Sequence, residues 1–277
     1  MEDRNDGAPA SVKLAEGAQG IRDAQGIRDA QGIRELTATV ADGAEGPATL
    51  PDDGSGLSVG SFLASLSAAE AAGLARSAEL RYFSRGDVLF SEGDEGNEVV
   101  VIHSGRVKVC GKRAGREVIF SVLDPGSVLG ELSAVDGSPR SATVIALEPT
   151  EVAVISVEDF REYLLTYPRV SSELLRLVAE RLRQASFRQL EFGTTQTLTR
   201  LCGTLMELSD RYVQSVGANV EVTIPLSQQE LAELSGMSRE ALVKGLHQLR
   251  SLGWLSVDDR TIVLHDATAI RRRARLG

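Results

Sequence analysis

The chain has 277 residues, 42% hydrophobic and 25% charged, with a formal net charge of −9. That balance suits ordinary globular domains, two of them, or three with a tail. No apolar run approaches the ~20 residues of a membrane span, and the polar N-terminus has no signal-peptide core, so the expectation is a cytoplasmic protein with no membrane partner. The acidic excess argues against a generally basic nucleic-acid binder. Charge is uneven, however. From Gln196 onward there are 10 Lys/Arg against 9 Asp/Glu, whereas residues 1–195 hold 20 against 30. Any DNA-binding surface must be local and C-terminal. Cys110 and Cys202 lie far apart with no CxxC spacing, which fits a reducing compartment and rules out a cysteine-built metal or iron–sulfur site.

Residues 1–58 contain no aromatic residue, 9 glycines, 5 basic and 11 acidic side chains. They include the repeat Gln19-Gly-Ile-Arg-Asp-Ala24, Gln25-Gly-Ile-Arg-Asp-Ala30, Gln31-Gly-Ile-Arg-Glu-Leu36. One glycine and one isoleucine per repeat cannot build a core, and three short copies cannot build a solenoid. This segment reads as a disordered low-complexity extension, with partner docking as an alternative role.

Order is expected from Val59. Ser67-Ala-Ala-Glu70 is a capping box opening a helix over 67–76. From Tyr82 to Ser156, short β-branched runs (Val88–Phe90, Glu98–His103, Val107–Gly111, Glu117–Val122, Ala142–Ala146, Glu151–Ile155) alternate with Gly, Pro and Asp turns. That spacing predicts a small barrel or jelly roll. Lys108, Lys112 and Arg113 read as surface residues. Ser156-Val-Glu-Asp159 caps a helix through Thr166, and Pro168 breaks it.

Within this region Gly130–Val144 stands out. A short helical turn over Glu131–Val135 follows a glycine, and a loop over Asp136–Pro139 feeds Arg140 into a strand. The backbone N–H groups of the turn, the Arg140 fork and the Ser141 hydroxyl and N–H suit a phosphate. Glu131 can accept from a ribose hydroxyl and pair with Arg140. A ribose carrying a cyclised phosphate meets both demands. The alternative is an Arg–Glu pair bracing a hairpin on a roll that binds nothing. Gly-Glu-Leu-x(6)-Pro-Arg-Ser-Ala-Thr-Val resembles the phosphate-binding cassette of cyclic-nucleotide-binding domains. Arg85–Glu98 also resembles the opening of such a domain, so the resemblance covers most of residues 80–156. It implies ligand contacts from Gly130, Glu131, Leu132, Ser133, Arg140, Ser141 and Ala142.

A long helix follows. Leu175, Val178, Leu182, Ala185, Gln189 and Phe192 recur at alternating steps of three and four, an a/d seam flanked by Arg176, Arg181, Arg183 and Arg188. Such a seam predicts a parallel two-fold homodimer, with packing on the chain's own barrel as the alternative. Gly193-Thr-Thr195 reads as a hinge. A helix over Gln196–Val213 then turns Leu198, Leu201, Leu205 and Leu208 inward, and Val220–Ile224 reads as a strand.

Ser227-Gln-Gln-Glu230 is a second capping box. Leu231 and Leu234 face inward, Ser235-Gly236-Met237 makes a turn, and Ser238 caps a further helix that buries Leu242, Leu246 and Leu249. This is a helix-turn-helix, and Gly253–Leu264 reads as a two-stranded wing. Arg239, Glu240 and Lys244 share the exposed face of the second helix. Arg pairs with guanine and Glu accepts from cytosine N4; a solvated charged face is the alternative. Arg271–Arg275 reads as a basic tail, for backbone phosphate or for solvent. His103, His247 and His265 lie on different elements, so neither a metal nor a haem site is expected.

Leu226–Leu246 resembles the DNA-binding element of cyclic-AMP-receptor-type bacterial regulators, the Crp/Fnr family. The cassette, dimer helix and winged helix occur in that family's order over about residues 60–265. The resemblance implies an α+β fold: a β-roll or jelly-roll nucleotide domain over 59–168, a dimerisation helix and hinge over 169–195, and a winged helix-turn-helix over 196–277. It implies base contacts from Arg239 and Glu240, with a third family contact falling on Lys244, and DNA contacts from Ser227, Gln228 and Ser238. Lys244 departs from the family's usual Arg. In cyclic-AMP receptors a Thr-Ser pair on the dimer helix meets the adenine. Here it reads Ala185-Ser186, so Ser186 survives and one hydroxyl is lost. The expected protein is therefore not an enzyme. It is a homodimeric regulator of transcription, gated by cyclic AMP (cyclic GMP being compatible), that binds a palindromic site on double-stranded DNA and works with RNA polymerase. The alternative is a ligand-independent regulator of the same type with a vestigial pocket.

Overall fold

The computed structural model describes residues 61–113, 116–194, 196–216, 219–223, 226–258 and 261–275. The N-terminal repeat, Thr195 of the expected hinge, and Asp259 and Arg260 of the wing turn lie outside the described residues. A short 3-10 turn, Leu63–Ser65, precedes α1 (Ala68–Ala75), whose N-cap Ser67 forms the expected capping box with Glu70. Eight strands follow: β1 (Glu79–Phe83), β2 (Val88–Phe90), β3 (Glu98–Ser104), β4 (Val107–Arg113), β5 (Arg116–Leu123), β6 (Val128–Leu129), β7 (Thr143–Ala146) and β8 (Thr150–Ser156). The helix α2 (Glu131–Asp136) sits between β6 and β7.

These strands make two four-stranded antiparallel sheets, ordered β1-β8-β3-β6 and β2-β7-β4-β5. Together they form a β-roll. Val100, Ile102, Val107, Leu129, Val144, Val152 and Val154 fill its inside. The opposite face of the first sheet buries Val99, Val101, Ala153 and Ile155 against α1 and against α3 (Val157–Thr166). Alternation along β3 and β8 thus serves two cores, which explains their near-continuous burial. Gly105 turns β3 into β4 at φ 79°, where a side chain would strike Pro149 and Thr150.

α4 (Pro168–Thr194) is the long helix. Pro168 opens it, where a missing N–H costs nothing. Val170, Leu174 and Leu177 pack on the roll's outer core. Leu175 and Leu182 point the other way and are 71% and 67% exposed. One helix thus carries two apolar faces, one for its own roll and one unpartnered among the described residues. Helical backbone runs through Gly193 to Thr194, and α5 (Thr197–Tyr212) begins three residues later.

The last unit contains α5, β9 (Val213–Val216), β10 (Asn219–Thr223), α6 (Gln228–Leu234), α7 (Arg239–Ser251), β11 (Leu255–Asp258), β12 (Thr261–Leu264) and α8 (Ala267–Ala274). Its sheet runs β11-β12-β10-β9, so the wing is the outer half of a four-stranded antiparallel sheet. β9 corrects the expectation that the preceding helix includes Val213. Its β-branched residues pair with β10 instead. α8 corrects the expected basic tail. Asp266 caps it, Ile270 is buried, Arg271 reaches Asp210 and Arg273 reaches Gln196. Leu201, Leu205, Leu242, Leu249, Leu255, Leu264 and Ile270 form the core. Gly245 lets α7 approach α5 closely, because a Cβ there would lie 2.7 Å from Leu201 Cδ2.

The two units share a core. Cys110, Ile119, Val122 and Leu147 of the roll belong to the same apolar cluster as Leu226, Leu231 and Leu205. Burial raises the thiol pKa of Cys110 and of Cys202 to about 11, so both behave as small apolar groups.

Candidate functional site

Gly130 adopts φ 76° as the N-cap of α2, and a Cβ there would collide with the Arg140 guanidinium. Glycine at this position is what lets the arginine lie against the start of the helix. Arg140 is 5% exposed. Its Nη2 donates to Glu98 O at 2.7 Å and its Nη1 to Gly130 O at 3.3 Å, while the group stacks 4.2 Å from the Phe90 ring centroid. Its Nε is buried without a hydrogen-bond partner among the described residues. Burial pulls the guanidinium pKa down, against the charges of Glu98, Asp94 and Glu131. A buried cation with an unused donor beside a helix N-terminus is what a phosphate satisfies. Ser141 is exposed at its rim and Ala142 is buried.

Glu131 is 3% exposed, and its partner differs from the expected one. Glu131 Oε1 pairs with Arg181 of α4 at 2.6 Å, and Arg181 Nη2 donates to Val128 O at 2.9 Å. Arg140 is instead held by backbone carbonyls. Arg181 reaches the carboxylate from α4, while the Arg140 guanidinium is committed to Glu98 O and Gly130 O. From α3, Arg161 Nε donates to Ala134 O at 2.7 Å, so α2 is gripped by both helices that follow the roll. Sequence reasoning placed Arg181 only as a flank of the seam. Its (i, i+4) relation to Ala185 was the available signal. Leu132 is 43% exposed and Ser133 is buried against Gly96. Ser186 Oγ donates to Leu182 O at 3.0 Å, and both Ala185 and Ser186 are exposed. Of the seam residues, Leu175, Leu182 and Ala185 are exposed and Val178 is half-buried; the side chains of Gln189 and Phe192 lie outside what is described.

The second site is on α6 and α7. Ser227 N and Oγ both donate to Glu230 Oε2 at 2.9 Å, completing the capping box. Ser238 Oγ accepts from Ala241 N at 3.2 Å. Both hydroxyls therefore shape helix starts. Arg239, Glu240 and Lys244 are exposed together on α7. Ser227, Gln228 and Arg239 line one concavity of about 750 Å³ with His247 and Arg250.

Between the two sites lies a contact the sequence did not reveal. Lys108, expected at the surface, is 8% exposed. Its Nζ sits 2.6 Å from Glu117 Oε1 on β5 and 3.2 Å from Glu230 Oε1 on α6. Nearby, Tyr212 donates to Asp124 Oδ1 at 3.0 Å, Arg106 lies 4.9 Å from the Tyr212 ring centroid, and Arg211 Nη1 donates to Val122 O at 3.0 Å. The carboxylate that caps α6 is thus also an anchor on the roll.

These features define a class: a cyclic-nucleotide-type sensor roll joined through a long helix to a winged helix-turn-helix that reads DNA. The sequence profile of the cyclic nucleotide-binding domain matches residues 80–167, and that of the Crp-like helix-turn-helix domain matches residues 199–273. The chain is 34% identical over 197 residues to a CRP-like cAMP-activated global transcriptional regulator of Mycobacterium tuberculosis, covering 70% of this chain and 87% of that one. The fold matches FixK2 of Bradyrhizobium japonicum with a TM-score of 0.65 at 21% identity, over 72% of this chain and 98% of that one. It also matches the c-di-GMP responsive global regulator CLP of Xanthomonas campestris with a TM-score of 0.65 at 23% identity, over 71% of this chain and 98% of that one. The chain belongs to the Crp/Fnr family of transcription regulators and carries a cyclic nucleotide-binding domain and a DNA-binding domain. No described helix is long and apolar enough to cross a membrane.

Proposed function

We propose that this protein is a homodimeric transcription regulator gated by cyclic AMP. The observation that carries the reading is Arg140, buried with an unused Nε at the N-terminus of α2. The cyclic phosphate would take Arg140 Nε, the α2 backbone N–H groups and Ser141. Glu131, already fixed by Arg181, would accept from the ribose hydroxyl. The base would lie toward α4, where Ser186 can rotate its hydroxyl from Leu182 O to a ring nitrogen. Kinship to a regulator named as cAMP-activated supports the choice of nucleotide. Leu175 and Leu182, exposed on the face of α4 away from the roll, support pairing with a second copy. Pairing would place two α7 helices for half-sites about 34 Å apart on one face of B-DNA. Such a protein acts in the cytoplasm, at promoters, with RNA polymerase as its partner.

A second reading has its own observation. Ala185 lacks a hydroxyl toward the base, an absence worth roughly 0.5–1.5 kcal/mol. That favours weaker or different base recognition, and in the limit a regulator that needs no nucleotide. Titration calorimetry of the full chain with cyclic AMP and then cyclic GMP, followed by DNA-binding anisotropy with and without each, tests both. Saturable binding at one site per chain with stronger DNA binding supports the first reading. A folded dimer that binds DNA equally with and without nucleotide refutes it.

A further inference from the structure

α7 buries Leu242, Gly245, Leu246 and Leu249 along one arc. The opposite arc carries Arg239, Glu240, Lys244, His247 and Arg250, all exposed and all able to hydrogen-bond. Val243 breaks that pattern. It is 46% exposed, one turn after Arg239 and one turn before His247, on the side of the polar face that borders Leu246. Among the described residues it belongs to no core cluster, and a β-branched residue is a weaker helix former than the Lys or Gln an exposed helix face accepts. Its surroundings point elsewhere. Val243 lines the concavity shared by Ser227, Gln228, Arg239 and Arg250, with Leu246 and Val257 beside it. If Arg239 meets base edges in the major groove, Val243 meets the groove floor beside it. Only one group on that floor is apolar, the C5-methyl of thymine.

We propose that Val243 is a specificity-determining residue that contacts a thymine methyl in each half-site. The inference rests on the assignment of α7 as the DNA-reading helix. It divides the face into hydrogen-bonding readers, Arg239, Glu240 and Lys244, and one shape reader beside them. The contact excludes water from a methyl and an isopropyl group at once, and it rejects cytosine at that position because cytosine offers no methyl to bury.

The test begins by selecting preferred duplexes from a random pool with the full-chain protein and cyclic AMP. Thymines in the selected site are then replaced one at a time by deoxyuridine, which keeps every base-pairing group and removes only the methyl. One thymine per half-site should lose about four-fold in affinity on replacement. Val243→Ala should bind the thymine and deoxyuridine duplexes equally, and Val243→Thr, which keeps a methyl, should retain part of the difference. If every thymine tolerates deoxyuridine, or if Val243→Ala shows the same penalty as wild type, the inference is wrong. A pool that yields no preferred sequence, or an Arg239→Ala variant with unchanged preference, refutes the assignment of α7 itself.

Discussion

Replacing Lys108 with Met should loosen the DNA-binding unit from the roll. The substitution keeps the aliphatic stem and removes the ammonium group between Glu117 Oε1 at 2.6 Å and Glu230 Oε1 at 3.2 Å. Breaking a fully buried pair from one side costs about 3–5 kcal/mol, and breaking an exposed pair costs about 0–1 kcal/mol. The Glu117 and Glu230 side chains are 25% and 16% exposed, between these limits. A loss of about 2–3 kcal/mol at neutral pH follows. The pH dependence is fixed in sign. Burial pushes the Glu230 carboxyl up, but the Ser227 N–H and hydroxyl together with Lys108 outweigh it, and its pKa is lowered. Lys108 suffers desolvation, yet hydrogen bonds to Glu117 and Glu230 raise its pKa above 10.5. A depressed carboxyl stabilises above its unfolded pKa and a raised ammonium below its own. The wild-type advantage should therefore be full between about pH 5 and 10 and shrink outside it. Trp254, the one tryptophan of the chain, lies in the DNA-binding unit and reports its unfolding by fluorescence in urea. A double-mutant cycle with Glu230→Gln isolates the pair. A loss below about 0.5 kcal/mol, or strict additivity of the two substitutions, would refute the docked arrangement as an energetic contact.

Other consequences are equally direct. Arg140→Ala should weaken cyclic-nucleotide binding by roughly 1.5–3 kcal/mol, or about 10- to 150-fold, while sedimentation shows an unchanged oligomeric state; unchanged calorimetric affinity would place the phosphate elsewhere. Gly245→Ala should destabilise the DNA-binding unit by about 1–3 kcal/mol despite alanine's better helix propensity, because its Cβ meets Leu201; a stabilised variant in urea melts would show that Leu201 yields freely. Glu70 is held at a pKa of about 2, chiefly by its hydrogen bond from Arg169, which also ties the start of α4 to α1. That stability is present above about pH 4.5 and lost as pH falls toward 2, so Glu70→Gln should lose about 1.5–3 kcal/mol at pH 7 and almost nothing near pH 2, read from paired denaturation curves.

What was legible in the sequence is what short-range chemistry determines. Ser67, Ser156, Ser227 and Ser238 each announce a helix by a cap that spans three residues, and all four accept the anticipated N–H. Gly236, at φ 62°, marks the turn between α6 and α7. The cassette is readable because its glycine, carboxylate and arginine lie within one loop. What escaped depends on partners far along the chain. β1, with the charged residues Glu79 and Arg81, has no clean alternation, and it forms at the sheet edge through pairing with β8. β6 is two residues long and exists by pairing with β3. Arg181 and Glu131 meet across fifty residues. Lys108 carries a charge on a strand, which reads as an outward position until a carboxylate from the other unit covers it.

The two missed ion pairs matter most because each ties a site to an element outside it. Arg181 joins the cassette carboxylate to α4, so whatever moves Glu131 bears on the helix that presents Leu175 and Leu182. Lys108 joins the roll to the capping box of α6, so whatever moves β4 bears on the N-terminus that presents Ser227 and Gln228. β4 is not remote from the cassette. Lys108 pairs across the ladder with Ile145 of β7, the strand that begins three residues after Arg140. A ligand that draws in Arg140 therefore acts on one end of a hydrogen-bonded strand pair whose other member holds Lys108. Under the proposed gating, the nucleotide site would have two lines of contact toward the DNA-binding unit, one through α4 and one through the sheet. The second requires no partner subunit, which is why the energetics of Lys108 can be measured within a single chain.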